Sequence, residues 1–418
     1  MDKIFLVAFG IFGFTLIFFS RGILIFLAIL CLSLTAVPYG GIGRAALNLR
    51  WAFFVLFCLH VFSDIFLGRT VRRIKPFDVL AFFFILFAFI SMSYSAFPQL
   101  TLERSATVLA LYISVFWVIW KYAYDRGKEN VVRIILQAAG ILFFAGYLMI
   151  FIGPYRPFFA GRFSGIYGNP NGLGVMSAII LPLSLWLFLD TRKKSALFLF
   201  LMVVLNLFLC ASRGSLNAAV ISTGYLLYIR SRKYRPLLFF FSISVILILF
   251  WAVETLIKQS FQAYIRVESL PVLGGRLEVW PIAMDFITQK PFFGYGFGVE
   301  DKIIELKRVV LHRHSGAYIH NSYLGITLQL GALGLVVFFL PLFSLLYKEI
   351  FSKTKEPAPL LRYALRASLI AGLLCSIYES WIYSVGNAMV LPFWIMIMLL
   401  VFYRHQDNDK IEAADIST

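Results

Sequence analysis

Three polar residues in a row, His320, Asn321 and Ser322, stand at the threshold of a long apolar run in the stretch AYIHNSYLG (317–325). Hydrocarbon offers polar groups no partners, so the triplet needs either a structural bond or a chemical task. A neutral imidazole near pH 7 can take a proton from an attacking hydroxyl. Guanidinium groups recur in three other polar clusters: Arg162 in GRFSGIYGNPNGLG (161–174), Arg213 in ASRGSLN (211–217) and Arg276 in GGRLEVWPIAMDFITQKPFFGYGFG (274–298). Read as arginines without acidic partners nearby, they suit a pyrophosphate, which Arg holds with forked hydrogen bonds. Positive charge placed where a leaving phosphate gathers negative charge lowers the barrier directly.

Each cluster also has a plain structural reading. An arginine at a helix end commonly snorkels to headgroups. Gly294, Gly296 and Gly298 resemble a phosphate loop only in spacing, because neither strand context nor a Walker lysine accompanies them; they suit a turn or close backbone packing. His312 and His314 form an isolated HRH pair lacking further metal ligands, and Asp407-Asn408-Asp409 matches a D-x-D motif only formally, in a polar tail. Cys31, Cys58, Cys210 and Cys375 lie far apart within or beside apolar runs and read as small buried hydrophobes. No metal or cofactor is implied.

The elements that must position these residues are membrane helices. Of 418 residues, 61% are hydrophobic and 14% charged, with a mean hydropathy of +0.85; soluble domains are typically about a quarter charged. The apolar residues recur in blocks of the length that crosses ~30 Å of hydrocarbon. The expected fold is an all-α polytopic membrane protein with 12–13 transmembrane helices. The N-terminal run reads as a retained first span, not a signal peptide. Net charge is +17, yet the surplus sits in short loops, such as Arg69–Lys75, Arg192–Lys194, Arg230–Arg235 and Lys348–Arg362. Cytoplasmic retention accounts for it, and nucleic acid is not required. That orientation puts 154–171, Ser212-Arg213-Gly214 and 254–320 on the outer side. The 254–320 segment, with eight basic and seven acidic residues, is nearly neutral and carries helical apolar spacing at Ile257, Phe261 and Ile265, and again at Ile303, Leu306 and Val310. The expected parts are N-terminal helices over 1–253, the extracytoplasmic loop 254–320, C-terminal helices over 321–403 and a cytoplasmic tail 404–418. Asp64 and Glu379, the main acids in or near spans, could each pair with a nearby basic group.

In order and spacing, GRFSGIYGNPNGLG, SRGSLNA, GGRLEVW…PFFGYGFG and HNSYLGITLQLGALGL resemble the bacterial O-antigen ligase and polymerase superfamily, from about residue 155 to 345. The resemblance implies a metal-independent membrane glycosyltransferase of GT-C type in the bacterial inner membrane. Its donor would be a glycan on undecaprenyl pyrophosphate, moved at the periplasmic face to lipid A-core by a ligase or to a lipid-linked repeat unit by a polymerase. Carried over by motif, Arg213 and Arg276 would hold the pyrophosphate and His320 would deprotonate the acceptor. Arg162, Asn171, Trp280 and Asn321 would contact substrate. The ligase is favoured over the polymerase. A lipid-linked saccharide flippase is the rival from another class, but transporters of that kind tend to show internal repeats and polar groups at mid-depth. Here the polar residues gather at one rim.

Overall fold

The computed structural model describes residues 20–37, 40–69, 72, 74–152, 157–230, 276–306, 318–351 and 358–416. The spans expected at 4–19 and 237–253, the Ile257–Ile265 helix and the His312–His314 pair lie outside them. The described residues form an all-α protein with one two-stranded hairpin, and six of its helices are long and apolar enough to cross a membrane. They make this a multi-pass membrane protein. Two compact units divide the chain.

The first unit gathers parts of 1–76, 107–172 and 385–418. Its helices are α1 (Arg21–Leu34), α2 (Gly40–Phe66), α4 (Pro98–Ile113), which enters from the other unit and runs through a π-helical stretch (Ser114–Ile119), α5 (Trp120–Arg126), α6 (Lys128–Leu148) and α14 (Val390–Ile416). Leu24, Ile25, Ala28, Ile29 and Leu32 bury one stripe of α1 at helical spacing, and α1 packs on α2 and α6. In α14 the stretch Ile395–Tyr403 is buried on every side, the mark of a helix enclosed by others. α14 continues without a break to Ile416, so residues 404–416 form a helix where the sequence suggests a polar tail. Asp64 pairs with Arg21 at 2.6 Å and Arg69 at 3.5 Å, as its setting suggests. A short hairpin, β1 (Phe158–Phe159) and β2 (Arg162–Phe163), precedes α7 (Pro170–Thr191).

The second unit holds 77–106 and 173–384. It contains α3 (Pro76–Ile90), most of α7, α8 (Lys194–Leu209), α9 (Arg213–Arg230), α10 (Arg276–Gln289), α11 (Glu300–Leu306), α12 (Ser322–Phe351) and α13 (Leu360–Cys375). α9 packs along α13, and α10 and α11 pack on α12. Val279, Ala283, Ile287, Val299, Ile303, Ile319 and Leu328 close one apolar cluster beneath the start of α12. At the far ends of α12 and α13 a buried Glu349 bridges Arg362 and Arg366 at 2.6–2.8 Å, so each charge has its partner.

Two departures from the expected spans shape the site. A single span is expected over 363–384, but α13 stops at Cys375 and residues 376–389 run irregularly. Glu379 and Ser380 spend their hydrogen bonds on Arg276, His320 and Glu300 from other segments, and the Ser376 carbonyl accepts the Ser322 N–H instead of continuing the helix. The second departure is a break in α12 at Gly331, whose φ of 66° and ψ of −168° are non-helical. The glycine-rich 290–298 loop fills it. The carbonyls of Pro291 and Phe292 accept the N–H groups of Ala332 and Leu333, while those of Leu328 and Gln329 accept Tyr295 and Gly296. Backbone groups that a break would strand in an apolar setting are thereby satisfied. The glycines serve close packing, as their sequence setting suggests: a Cβ on Gly294 would lie 2.5 Å from the Gln329 carbonyl.

Candidate active site

The opening triplet sits where α12 begins. Asn321 caps the helix, its Oδ1 accepting the N–H groups of Tyr323 and Leu324 at 2.9 and 3.0 Å. Ser322 donates through Oγ to the Glu379 carbonyl at 2.6 Å and accepts the Trp381 N–H, while its own N–H bonds to the Ser376 carbonyl. The triplet is thus stitched to the irregular 376–381 segment. His320 itself adopts a left-handed backbone, φ 53°, which a non-glycine residue accepts only under restraint.

That backbone turns the imidazole toward an acid. His320 Nδ1 lies 2.7 Å from Glu379 Oε2, and Glu379 Oε1 lies 3.1 Å from Arg276 Nη2. The same Arg276 nitrogen donates to the Tyr378 carbonyl at 2.6 Å. The three side chains are 23%, 14% and 18% exposed: shielded enough to strengthen their electrostatics, open enough to meet a ligand. With Nδ1–H donated to the carboxylate, Nε2 is the ring's basic nitrogen, and an imidazolium formed there would be stabilised by Glu379.

Arg213 is the first residue of α9. Its neighbour Gly214 lies so close to the Tyr378 ring that a Cβ would come within 2.7 Å, so α9 begins against the segment that carries Glu379. Trp280 donates its indole N–H to the Ile319 carbonyl at 3.0 Å. In the first unit Arg162 Nη2 donates to Asn171 Oδ1 at 2.7 Å, across a turn fixed by Asn169 Oδ1 accepting the Asn171 N–H. Arg276, Trp280, His320 and Asn321 are therefore brought together, Arg213 adjoins their shared segment, and Arg162 pairs with Asn171.

One premise needs correction. Arg276 does have an acidic partner, Glu379, which reaches it from 103 residues away in sequence. In the sequence Glu379 reads only as an acid able to pair with a nearby basic group, and no motif singles out Glu300, Ser380 or Tyr383. The legible signal was the run of polar residues at 376, 379, 380 and 384 within an apolar stretch.

Beneath His320 lies that second acid. Glu300, at the start of α11, is only 4% exposed. Its Oε1 accepts the Ile319 N–H and the Ser380 hydroxyl, both at 2.9 Å; its Oε2 accepts the Tyr383 hydroxyl and the Gln329 amide. Burial pushes the carboxyl above its ordinary value, outweighing the donors that favour its charged form.

Comparison with known proteins bears on the same region. Residues 196–339 match the family described as O-antigen ligase. A Rickettsia felis protein named as a polysaccharide ligase is 29% identical over 189 residues, covering 42% of this chain and 44% of that one. An Acinetobacter baylyi protein named ComP-specific O-oligosaccharyltransferase is 27% identical over 214 residues, 48% of this chain and 38% of its own length. A Rickettsia conorii protein, also named as a polysaccharide ligase, is 25% identical over 239 residues, 54% of each chain. The chain spans about half or less of the length of each relative.

Proposed function

We propose that this chain, whose residues 196–339 match the family described as O-antigen ligase, is a membrane glycosyltransferase of GT-C type and acts as an O-antigen ligase. It takes a glycan from undecaprenyl pyrophosphate and transfers it to a hydroxyl of lipid A-core at the periplasmic face of the bacterial inner membrane. The observation that carries the reading is the Arg276–Glu379–His320 chain, an oriented imidazole beside a guanidinium.

In this reading Nε2 of His320 accepts the proton of the acceptor hydroxyl as its oxygen attacks the anomeric carbon. One C–O bond forms while the C–O bond to phosphate breaks, and the lipid pyrophosphate leaves with the electron pair. Arg213 and Arg276 meet the charge that grows on it. Glu379 holds the ring in the right tautomer and steadies the imidazolium. A single displacement inverts the anomeric centre, and no second carboxylate is needed as nucleophile. Trp280 and Asn321 support the site by fixing the backbone on either side of His320, and Arg162 and Asn171 keep the donor-contact role that the motif resemblance implies. The relative named as an oligosaccharyltransferase supports a second reading, in which the acceptor is a protein.

The test offers a matched undecaprenyl pyrophosphate glycan to the purified chain with lipid A-core, a second lipid-linked repeat unit or an acceptor protein. Product on lipid A-core alone is the expected result. Ladders from lipid-linked units alone would make the protein a polymerase, product on protein alone would establish the second reading, and donor binding without turnover would favour a transporter. His320→Gln should lower kcat by about 10²–10⁴-fold, and Arg276→Ala or Arg213→Ala by about 10²–10³-fold. Undiminished transfer by His320→Gln would remove the base assignment.

A further inference from the structure

We propose that Glu300 is the positioning residue of this site, a buried acceptor hub that sets His320 against Glu379. The inference rests on His320 as the proton acceptor. Its basis is a closed ring of bonds. Glu300 Oε1 accepts the N–H of Ile319, the residue before His320, and the hydroxyl of Ser380, the residue after Glu379. Ser380 Oγ in turn accepts the N–H of Asn321, the residue after His320, at 3.1 Å. The chain on both sides of the histidine is therefore tied to the chain beside its carboxylate, through one oxygen of Glu300.

The rest of the surroundings serve the same geometry. The Trp280 indole holds the Ile319 carbonyl, so both polar groups of that residue are engaged. The second oxygen of Glu300 bonds to Tyr383 and to Gln329, whose Oε1 accepts the Gly298 N–H from the loop filling the α12 break. Gly325 makes room: a Cβ there would lie 2.0 Å from the Tyr383 hydroxyl and 2.6 Å from Glu300 Oε2. This restraint explains how His320 keeps a left-handed backbone. An acceptor that merely satisfied buried donors would not need to bond next to both members of the pair.

The charged and titratable groups around the ring are Glu379 after α13, Arg276 from α10, Glu300 from α11 and Tyr383 on the irregular segment. Removing an acceptor oxygen of Glu300 should free the chain on both sides of His320 and loosen the hold of Glu379 on the ring. The experiment follows the rate of carbethoxylation of His320 by diethyl pyrocarbonate at neutral pH in the full chain in lipid nanodiscs. Peptide mass spectrometry reads the extent, with an added histidine-containing peptide as the reference and thermal melting as the check on folding. Glu300→Gln, which replaces one acceptor oxygen by a donor, is expected to change the His320 rate severalfold or more while the added peptide is unchanged. Ser380→Ala, a milder cut in the ring, is expected to change the His320 rate at neutral pH severalfold. A folded variant of either kind with parent-like His320 reactivity overturns the proposal. No substrate is needed, so an altered His320 rate in the variants with no transfer by the parent to any acceptor keeps the hub and sinks the transferase reading. Transfer by the parent with unaltered His320 rates in the variants does the reverse.

Discussion

At the scale of residues, the site is a pair of carboxylates given different tasks by their surroundings. Glu379 is partly exposed and faces two basic groups, whereas Glu300 is enclosed and faces only donors of hydrogen bonds from backbone, hydroxyl and amide. The second setting has a consequence for stability. Burial holds the Glu300 carboxyl above the ordinary 4.5, so the folded chain keeps a proton at pH values where the unfolded chain has lost it. The associated stability is complete below the unfolded value and is lost as pH rises through the folded one. The thermal midpoint of the parent protein should therefore fall as pH climbs from 4.5, and Glu300→Gln should flatten that slope. Equal slopes in melts of both proteins would mean that Glu300 is not the group responsible.

At the scale of elements, the decisive features are two helices that do not run to their expected ends. α13 stops early and releases Glu379, and α12 breaks at Gly331 and admits the 290–298 loop. The break depends on a positive φ and on the missing side chain, because a Cβ at Gly331 would lie 2.1 Å from the Phe292 carbonyl carbon. Gly331→Ala should destabilise the protein by about 1–3 kcal/mol through overpacking, with a further cost from the left-handed backbone. A lowered melting temperature and easier proteolysis between α10 and α11 are the expected readouts. A parent-like melt would show that the loop does not depend on this glycine.

At the scale of the whole molecule, six long apolar helices among the described residues make a multi-pass membrane protein, and the proposed orientation rests on the basic loops. With those loops in the cytoplasm, the start of α12 faces outward. In a variant with Cys31, Cys58, Cys210 and Cys375 replaced, Tyr318→Cys should react with a membrane-impermeant maleimide in intact spheroplasts. Lys193→Cys should react only after permeabilisation. Reversed labelling would put the site on the cytoplasmic side, where a periplasmic transfer could not occur.

The sequence by itself determined that this is an all-α membrane protein, because composition and block length leave few other ways to satisfy so much apolar chain. Its motifs also marked His320, Arg276 and Arg213, since polar groups at the edge of apolar runs stand out against their surroundings. The cap formed by Asn321 and the turn at Asn169 follow from the local chemistry of Asn. Only the tertiary structure decided what these residues do to one another. Glu379 lies 103 positions from Arg276 and 59 from His320, and Glu300 lies 80 from Ser380. Periodicity cannot report partners that distant. The early end of α13 was equally hidden, because an apolar run containing a few polar residues reads as a continuous span until other segments are present to pair with Glu379 and Ser380. The electrostatic character of the site, an arginine already holding a carboxylate that also orients a histidine, therefore arises from packing and not from any one motif.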